Sequence, residues 1–110
     1  MKAIYIHIPF CDKICSYCDF CKVLYNEKLV DKYLDCLEKE IKSNYVGEVI
    51  TTLYIGGGTP SSLSILQLER LFKITDIFKK SKDIEFTIEA NFENTTKEKI
   101  DLFKKYGVNR

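Results

Sequence analysis

Neither sign of charge predominates in this chain: 17 basic residues stand against 16 acidic ones, a net charge of +1. Without a basic stripe there is no electrostatic reason to propose a nucleic acid as partner. Long apolar runs are missing as well. The longest early one, Ile4 to Phe10, is interrupted by His7 and Pro9, and it is too short for a membrane span or for the hydrophobic region of a secretory signal. These absences make a cytoplasmic protein the expectation. Linkers, low-complexity segments and sequence repeats are also lacking, so the 110 residues read as one unit. At 45% hydrophobic and 30% charged residues, the composition is that of a globular chain and not of a disordered one.

Cysteine, by contrast, is plentiful and clustered. Four of the five cysteines fall between Cys11 and Cys21. An odd total argues against a disulfide framework, and a reducing compartment would leave the thiols free to bind metal. The fifth, Cys36, falls inside a helical run and reads as core packing.

Three strand-like runs alternate with three helix-like ones. Ala3 to Ile8 alternates by parity, with Ile4, Ile6 and Ile8 against Tyr5 and His7. Ile84 to Ala90 does the same, with Ile84, Phe86 and Ile88 against Glu85, Thr87 and Glu89. Between them, Ile50 to Ile55 is a β-branched run leading into glycines. Asn26 is placed to cap a helix whose apolar positions are Val30, Tyr33, Leu34, Leu37 and Ile41. Ser64 with Gln67, and Thr95 with Glu98, have capping-box spacing ahead of Leu68, Leu71 and Phe72 and of Leu102, Phe103 and Tyr106. Strand–helix repeated three times with short links predicts right-handed βαβ units, an α/β fold with a parallel sheet. Gly107 to Arg110 reads as the lead-in to a fourth strand, so the chain is expected to stop within its fold.

Cys11-x-x-x-Cys15-x-x-Cys18 follows directly from the first strand. Three thiolates this close can converge on one soft-metal centre, either an iron–sulfur cluster or zinc. A [4Fe–4S] cluster held by three cysteines keeps one iron open, and an amino acid can chelate that iron through its amino and carboxylate groups. The cysteines alone leave a second arrangement open. Cys21 supplies a possible fourth thiolate for a closed zinc site or a ferredoxin-like electron-transfer cluster.

Gly56-Gly57-Gly58-Thr59-Pro60 lies at the carboxyl end of the second strand, where ligands bind in parallel α/β folds. Its spacing is neither that of a P-loop nor G-x-G-x-x-G, and no lysine follows, which argues against a nucleotide phosphate. A plain strand-to-helix turn is the other reading of such a run. Glu89 ends the third strand on the same parity as Thr87, as Tyr5 and His7 share a polar parity on the first. Polar side chains on that face suit a barrel lumen that holds a ligand, or equally a solvated strand face. His7, the only histidine, reads either as a residue near a bound group or as a strand residue with a satisfied hydrogen bond.

Tyr5-Ile6-His7-Ile8-Pro9-Phe10-Cys11, with Cys15 and Cys18 behind it, resembles the radical-SAM group that contains oxygen-independent coproporphyrinogen III oxidase and the related heme chaperone. Gly56-Gly57-Gly58-Thr59-Pro60-Ser61 and Thr87-Ile88-Glu89-Ala90-Asn91 fit the same group in the same order. The resemblance covers essentially the whole chain. It implies the first three β/α units of a partial TIM-type barrel, residues 1–110 being the N-terminal part of a radical-SAM core that ends before the fourth strand. It implies a [4Fe–4S] cluster on Cys11, Cys15 and Cys18, and S-adenosylmethionine contacted by Tyr5, Gly57, Gly58, Thr59 and Glu89, with Tyr17 as an aromatic neighbour. The reaction implied is reductive cleavage of the sulfonium to methionine and a 5′-deoxyadenosyl radical. In the oxidase that radical starts decarboxylation of a tetrapyrrole's propionates.

The oxidase has a further cysteine two residues after the third, and here that position is Phe20. Cys18-Asp19-Phe20 is similar to the chaperone branch, which binds heme and delivers it to acceptor proteins. The resemblance therefore implies heme or a tetrapyrrole as the bound partner of the full-length protein, a one-electron donor such as flavodoxin or ferredoxin, and heme-acceptor proteins. The oxidase, and the small closed-site module, are the alternatives that the sequence keeps.

Overall fold

The computed structural model describes residues 2–11, 23–24, 27–91 and 95–110. The elements run β1 (Lys2–Ile8), β2 (Phe10–Cys11), β3 (Val23–Leu24), α1 (Glu27–Asn44), β4 (Val49–Gly57), a 3-10 turn (Pro60–Ser62), α2 (Ile65–Thr75), β5 (Lys79–Ile88) and α3 (Lys97–Lys105). β1, β4 and β5 form one parallel sheet in the order β1-β4-β5, and β2 pairs in parallel with β3 beside it. This is the expected α/β order: each sheet strand is followed by a helix, and α2 packs between α1 and α3.

Parity decides which side of the sheet meets the helices. On β1, Ile6 and Ile8 are buried while Tyr5 and His7 are exposed. On β5, Phe86 and Ile88 are buried while Glu85 is exposed. β4 breaks the alternation, burying both Ile50 and Leu53. The cause is a register shift at Thr51: β1 passes directly from Lys2, opposite Ile50, to Ala3, opposite Thr52, which leaves Thr51 as an extra residue on β4. The extra β4 residue turns Leu53 and Ile55 to the side Ile50 already faces. β5 begins at Lys79, earlier than its apolar alternation starts, because Lys79 and Lys80 pair with Val49 and Ile50 ahead of that shift. It ends at Ile88, so Glu89 and Ala90 lie just past the strand.

The helices bury the stripes their periodicity assigns. Val30, Leu34, Leu37 and Ile41 of α1, Leu68, Leu71 and Phe72 of α2, and Leu102 and Phe103 of α3 join one core with the strand residues. Cys36 does not. It is exposed, about 130° around α1 from the Leu34–Leu37 stripe at 100° per residue, so its expected core role is corrected.

The caps differ in outcome. Ser64 and Gln67 form the expected reciprocal box, with Gln67 N–H to Ser64 Oγ at 3.2 Å and Ser64 N–H to Gln67 Oε1 at 2.9 Å. α3 instead starts one residue later than expected. Thr96 is its cap, accepting from Lys99 N–H at 3.2 Å, while the Thr95 hydroxyl donates to the Asn91 carbonyl at 2.6 Å. Asn26, the expected cap of α1, lies outside the described residues.

Gly107, at φ +90°, turns the chain after α3 back toward the sheet. Asn109 and Arg110 then bond to β5: both N–H groups donate to the Phe86 carbonyl, at 2.9 and 3.1 Å, and Ile88 N–H donates to the Arg110 carbonyl at 3.2 Å. Among the described residues no helix is long and apolar enough to cross a membrane.

Candidate cofactor site at the strand ends

Parallel pairing brings the carboxyl ends of β1 and β4 side by side, Ile8 opposite Gly57. The next residues of both segments are stitched together by backbone. Gly58 N–H donates to the Ile8 carbonyl at 2.6 Å, and Thr59 N–H donates to the Phe10 carbonyl at 2.7 Å. Phe10 is buried, with the Tyr33 ring edge-on at 5.8 Å between centroids. The Tyr33 hydroxyl in turn donates to the His7 carbonyl. Burial, followed by the Glu40 charge and Tyr5, raises the Tyr33 phenol above its ordinary pKa. The backbone that leads into Cys11 is therefore fixed against the glycine loop.

Gly57 has φ +112°, and a Cβ there would lie 2.7 Å from both the Ile8 carbonyl oxygen and His7 Nδ1. Only glycine meets both demands. Its N–H donates to Glu89 Oε1 at 2.8 Å. The amides of Gly57, Gly58 and Thr59 thus all point at acceptors of the protein itself. A phosphate-binding loop keeps such amides for its anion, so this one is not built for phosphate.

The polar face of the sheet is organised in rows. Tyr5, Tyr54 and Thr87 are register partners across β1, β4 and β5. The rings of Tyr5 and Tyr54 stack at 5.6 Å and 24°. One step further, His7 is opposite Gly56, and Glu89 N–H donates to the Ile55 carbonyl at 2.9 Å. The Glu89 side chain folds back over Gly56, where Oε2 accepts from the Tyr54 hydroxyl at 2.9 Å. That hydrogen bond is the main cause of a raised Tyr54 pKa, with burial and the Glu89 charge adding to it. A Cβ on Gly56 would lie 2.5 Å from Glu89 Oε1 and 2.6 Å from Tyr54 Cε1.

The opposite wall is held by Ser61. This residue is buried, its hydroxyl accepts from Asn91 N–H at 2.8 Å, and its carbonyl accepts from Lys99 Nζ at 2.5 Å. Between the walls lies a cleft of about 390 Å³ lined by Gly57, Gly58, Thr59, Pro60, Glu89, Ala90 and Asn91. That is at the small end of ligand pockets, which run from roughly 300 to 1,000 Å³. Among the described residues of the lining, Glu89 is the only charged one.

Four of the residues singled out in the sequence, Gly57, Gly58, Thr59 and Glu89, meet in this cleft. Tyr5 is on the same sheet face but one strand away, stacked on Tyr54. Cys11 is placed through its backbone as the second residue of β2. Cys15, Tyr17 and Cys18 lie outside the described residues, as do Phe20 and Cys21. Sequence reasoning missed Tyr54, and it read Gly56 and Ser61 only as parts of the glycine motif, without the individual roles seen here. For Tyr54 the available signal was its spacing of two from Gly56, which places both on one face of β4.

A family model of the Radical SAM superfamily matches residues 5–110. The chain is 46% identical to the heme chaperone HemW of Bacillus subtilis (strain 168), an alignment covering 100% of this chain and 30% of that protein. It is 34% identical to the oxygen-independent coproporphyrinogen III oxidase of Escherichia coli (strain K12), covering 98% of this chain and 25% of the relative. The solved structure of coproporphyrinogen III oxidase (HemN) from Escherichia coli, a radical SAM enzyme, superposes with a TM-score of 0.88 over 98% of this chain and 26% of that one, at 34% identity. The chain thus spans 30% or less of these relatives, the extent of a partial radical-SAM barrel. Matched by the family model over nearly its full length and by the fold of a radical SAM enzyme, the chain belongs to the Radical SAM superfamily.

Proposed function

We propose that this chain supplies the part of a heme-chaperone-type radical SAM protein that binds a [4Fe–4S] cluster and S-adenosylmethionine. The observation that carries the reading is the pair of backbone hydrogen bonds from Gly58 and Thr59 to Ile8 and Phe10. They hold the segment leading into the first cysteine against the loop that would bind the cofactor. The cleft's chemistry fits that ligand. The amides of Gly57, Gly58 and Thr59 are committed within the protein and the one charge among the described lining residues is the Glu89 carboxylate, so the cleft suits a ligand that brings hydrogen-bond donors and positive charge. S-adenosylmethionine brings both, in its ammonium, sulfonium and ribose hydroxyls.

In this reading Cys11, Cys15 and Cys18 hold the cluster, while Tyr5, Tyr17, Gly57, Gly58, Thr59 and Glu89 hold S-adenosylmethionine. Cluster and ligand together supply one-electron cleavage of a sulfonium carbon–sulfur bond. Glu89 orients the ligand through an acceptor already fixed by Gly57 N–H, and the glycines let the ligand approach the backbone without side-chain hindrance. Heme as bound partner, a flavodoxin- or ferredoxin-type electron donor and heme-acceptor proteins belong to the same proposal. The chaperone branch is preferred to the oxidase on Phe20 and on the higher identity to HemW.

The test uses the full-length protein, reconstituted anaerobically with iron and sulfide. Iron content should require Cys11, Cys15 and Cys18 but survive Cys21→Ala, and the protein should bind heme without sustained turnover of coproporphyrinogen III. Loss of the cluster in Cys21→Ala would establish the closed site instead. Robust decarboxylation would establish the oxidase.

A further inference from the structure

We infer that Tyr54 is a positioning residue: its hydroxyl, together with Gly57 N–H, sets the Glu89 carboxylate in the orientation that receives the ligand. The inference rests on the proposed S-adenosylmethionine site and adds to it a residue that the cleft lining does not include. Glu89 stands just past the end of β5, exposed, on a side chain with three rotatable torsions. Left alone, such a side chain would lose its rotamer freedom only on binding, at the expense of affinity. Here the two oxygens are held separately, Oε1 by Gly57 N–H at 2.8 Å and Oε2 by the Tyr54 hydroxyl at 2.9 Å. Each oxygen keeps a lone pair for a ligand donor.

Three further features support the arrangement. Tyr54 is itself steadied by the Tyr5 ring stacked on it. Gly56 leaves the space through which Glu89 reaches Tyr54, since a Cβ there would meet both side chains below 3 Å. The Thr51 register shift places Tyr54 on the polar face, in register with Tyr5 and Thr87. A tyrosine within a β-branched run would otherwise read as packing.

The experiment is a double-mutant cycle on the full-length reconstituted protein, with S-adenosylmethionine as probe and affinity measured by anaerobic titration. Tyr54→Phe keeps the ring and its stack and removes only the hydroxyl. It should weaken binding about fivefold, the scale of one typical net hydrogen bond, since the group lost acts on the ligand only through Glu89. In a Glu89→Ala background the same change should have less than about a twofold effect, because the group Tyr54 positions is gone. Gly56→Ala, which attacks the carboxylate from below, should weaken binding in the wild type and add little in that background. Equal affinity of wild type and Tyr54→Phe would overturn the inference and leave the site standing. A fivefold loss in both backgrounds would also overturn it, since Tyr54 would then act without Glu89. No measurable affinity in the wild type would instead overturn the proposed site itself.

Discussion

On one side of the three-stranded sheet, Ile8, Leu53, Ile55 and Phe86 are sealed under the helices, with Phe72 at their centre. On the other side, Tyr5 is 58% exposed and Tyr54, Gly57 and Glu89 form a polar constellation held by single hydrogen bonds. The same strands build both, and the difference lies in what each side spends its residues on. The sealed side gains stability from area removed from water and from close packing. The polar side gains little stability and instead holds acceptors and glycines ready for a ligand. Substitutions should therefore separate cleanly, those on the helix side changing stability and those on the polar side changing affinity.

The largest effect is expected at Phe72, which is fully buried and meets the rings of Phe86, Phe103 and Tyr106 at centroid distances of 6.0, 5.8 and 5.2 Å. Phe72→Ala should destabilise the full-length protein by about 3–5 kcal/mol, the range for deleting a buried aromatic ring. Denaturant unfolding measures this. A loss under about 1 kcal/mol would show that the helix layer is not the stabilising side.

Gly57→Ala should have the next largest effect, and it is the case in which the two sides are coupled. A side chain at φ +112° is strained, and its Cβ would press on the Ile8 carbonyl that Gly58 bonds. Strain of this kind costs of order 1–3 kcal/mol. Binding should fall far more than stability does, because the same shift displaces the Glu89 contact. Glu89→Ala is the control: it should leave unfolding within about 0.5 kcal/mol of wild type, as for an exposed residue, while weakening S-adenosylmethionine binding. If Glu89→Ala destabilised as much as Gly57→Ala, the carboxylate would be part of the scaffold and the contrast between the faces would fail.

What the sequence revealed follows the same division. The helix-facing side was legible because its signals are periodic: Ile4, Ile6 and Ile8 alternate, Val30, Leu34, Leu37 and Ile41 recur at helical spacing, and Ser64 with Gln67 is a local motif. The signals failed where pairing between distant segments overrode local pattern. The shift at Thr51 is written in the register of β4 against β1, and Ile50-Thr51-Thr52-Leu53 shows no parity from which to read it. Tandem Thr95 and Thr96 each offer a cap, and the one chosen leaves Thr95 free to bond back to Asn91. On the polar side, Glu89 and the glycine loop were legible from position at the strand ends. Tyr54 was not, because its partner lies 35 residues away and only the closed sheet brings them within 2.9 Å.

The smallest expected effect is a pH signature of that last contact, measurable without any ligand. The Tyr54 phenol donates to a carboxylate, and ionising it would set two negative charges side by side, so its pKa is raised. The sign follows from linkage. A proton held more tightly in the folded state favours folding fully below the ordinary phenol value of about 10, and that contribution is lost as pH rises through the higher folded value. Because the pair is exposed, the effect on stability is small and screened by salt, and the titration itself is the better measurement. An ultraviolet difference titration of the full-length protein should contain a tyrosine that ionises later than an ordinary phenol and disappears in Tyr54→Phe. Tyr33, raised chiefly by burial, should remain late in that variant. In Glu89→Ala, Tyr54 should move back toward the ordinary value while Tyr33 does not. If Tyr54 still ionised late in Glu89→Ala, burial and not the carboxylate would govern its phenol, and the polar face would then be less open than its exposed Tyr5 and His7 indicate.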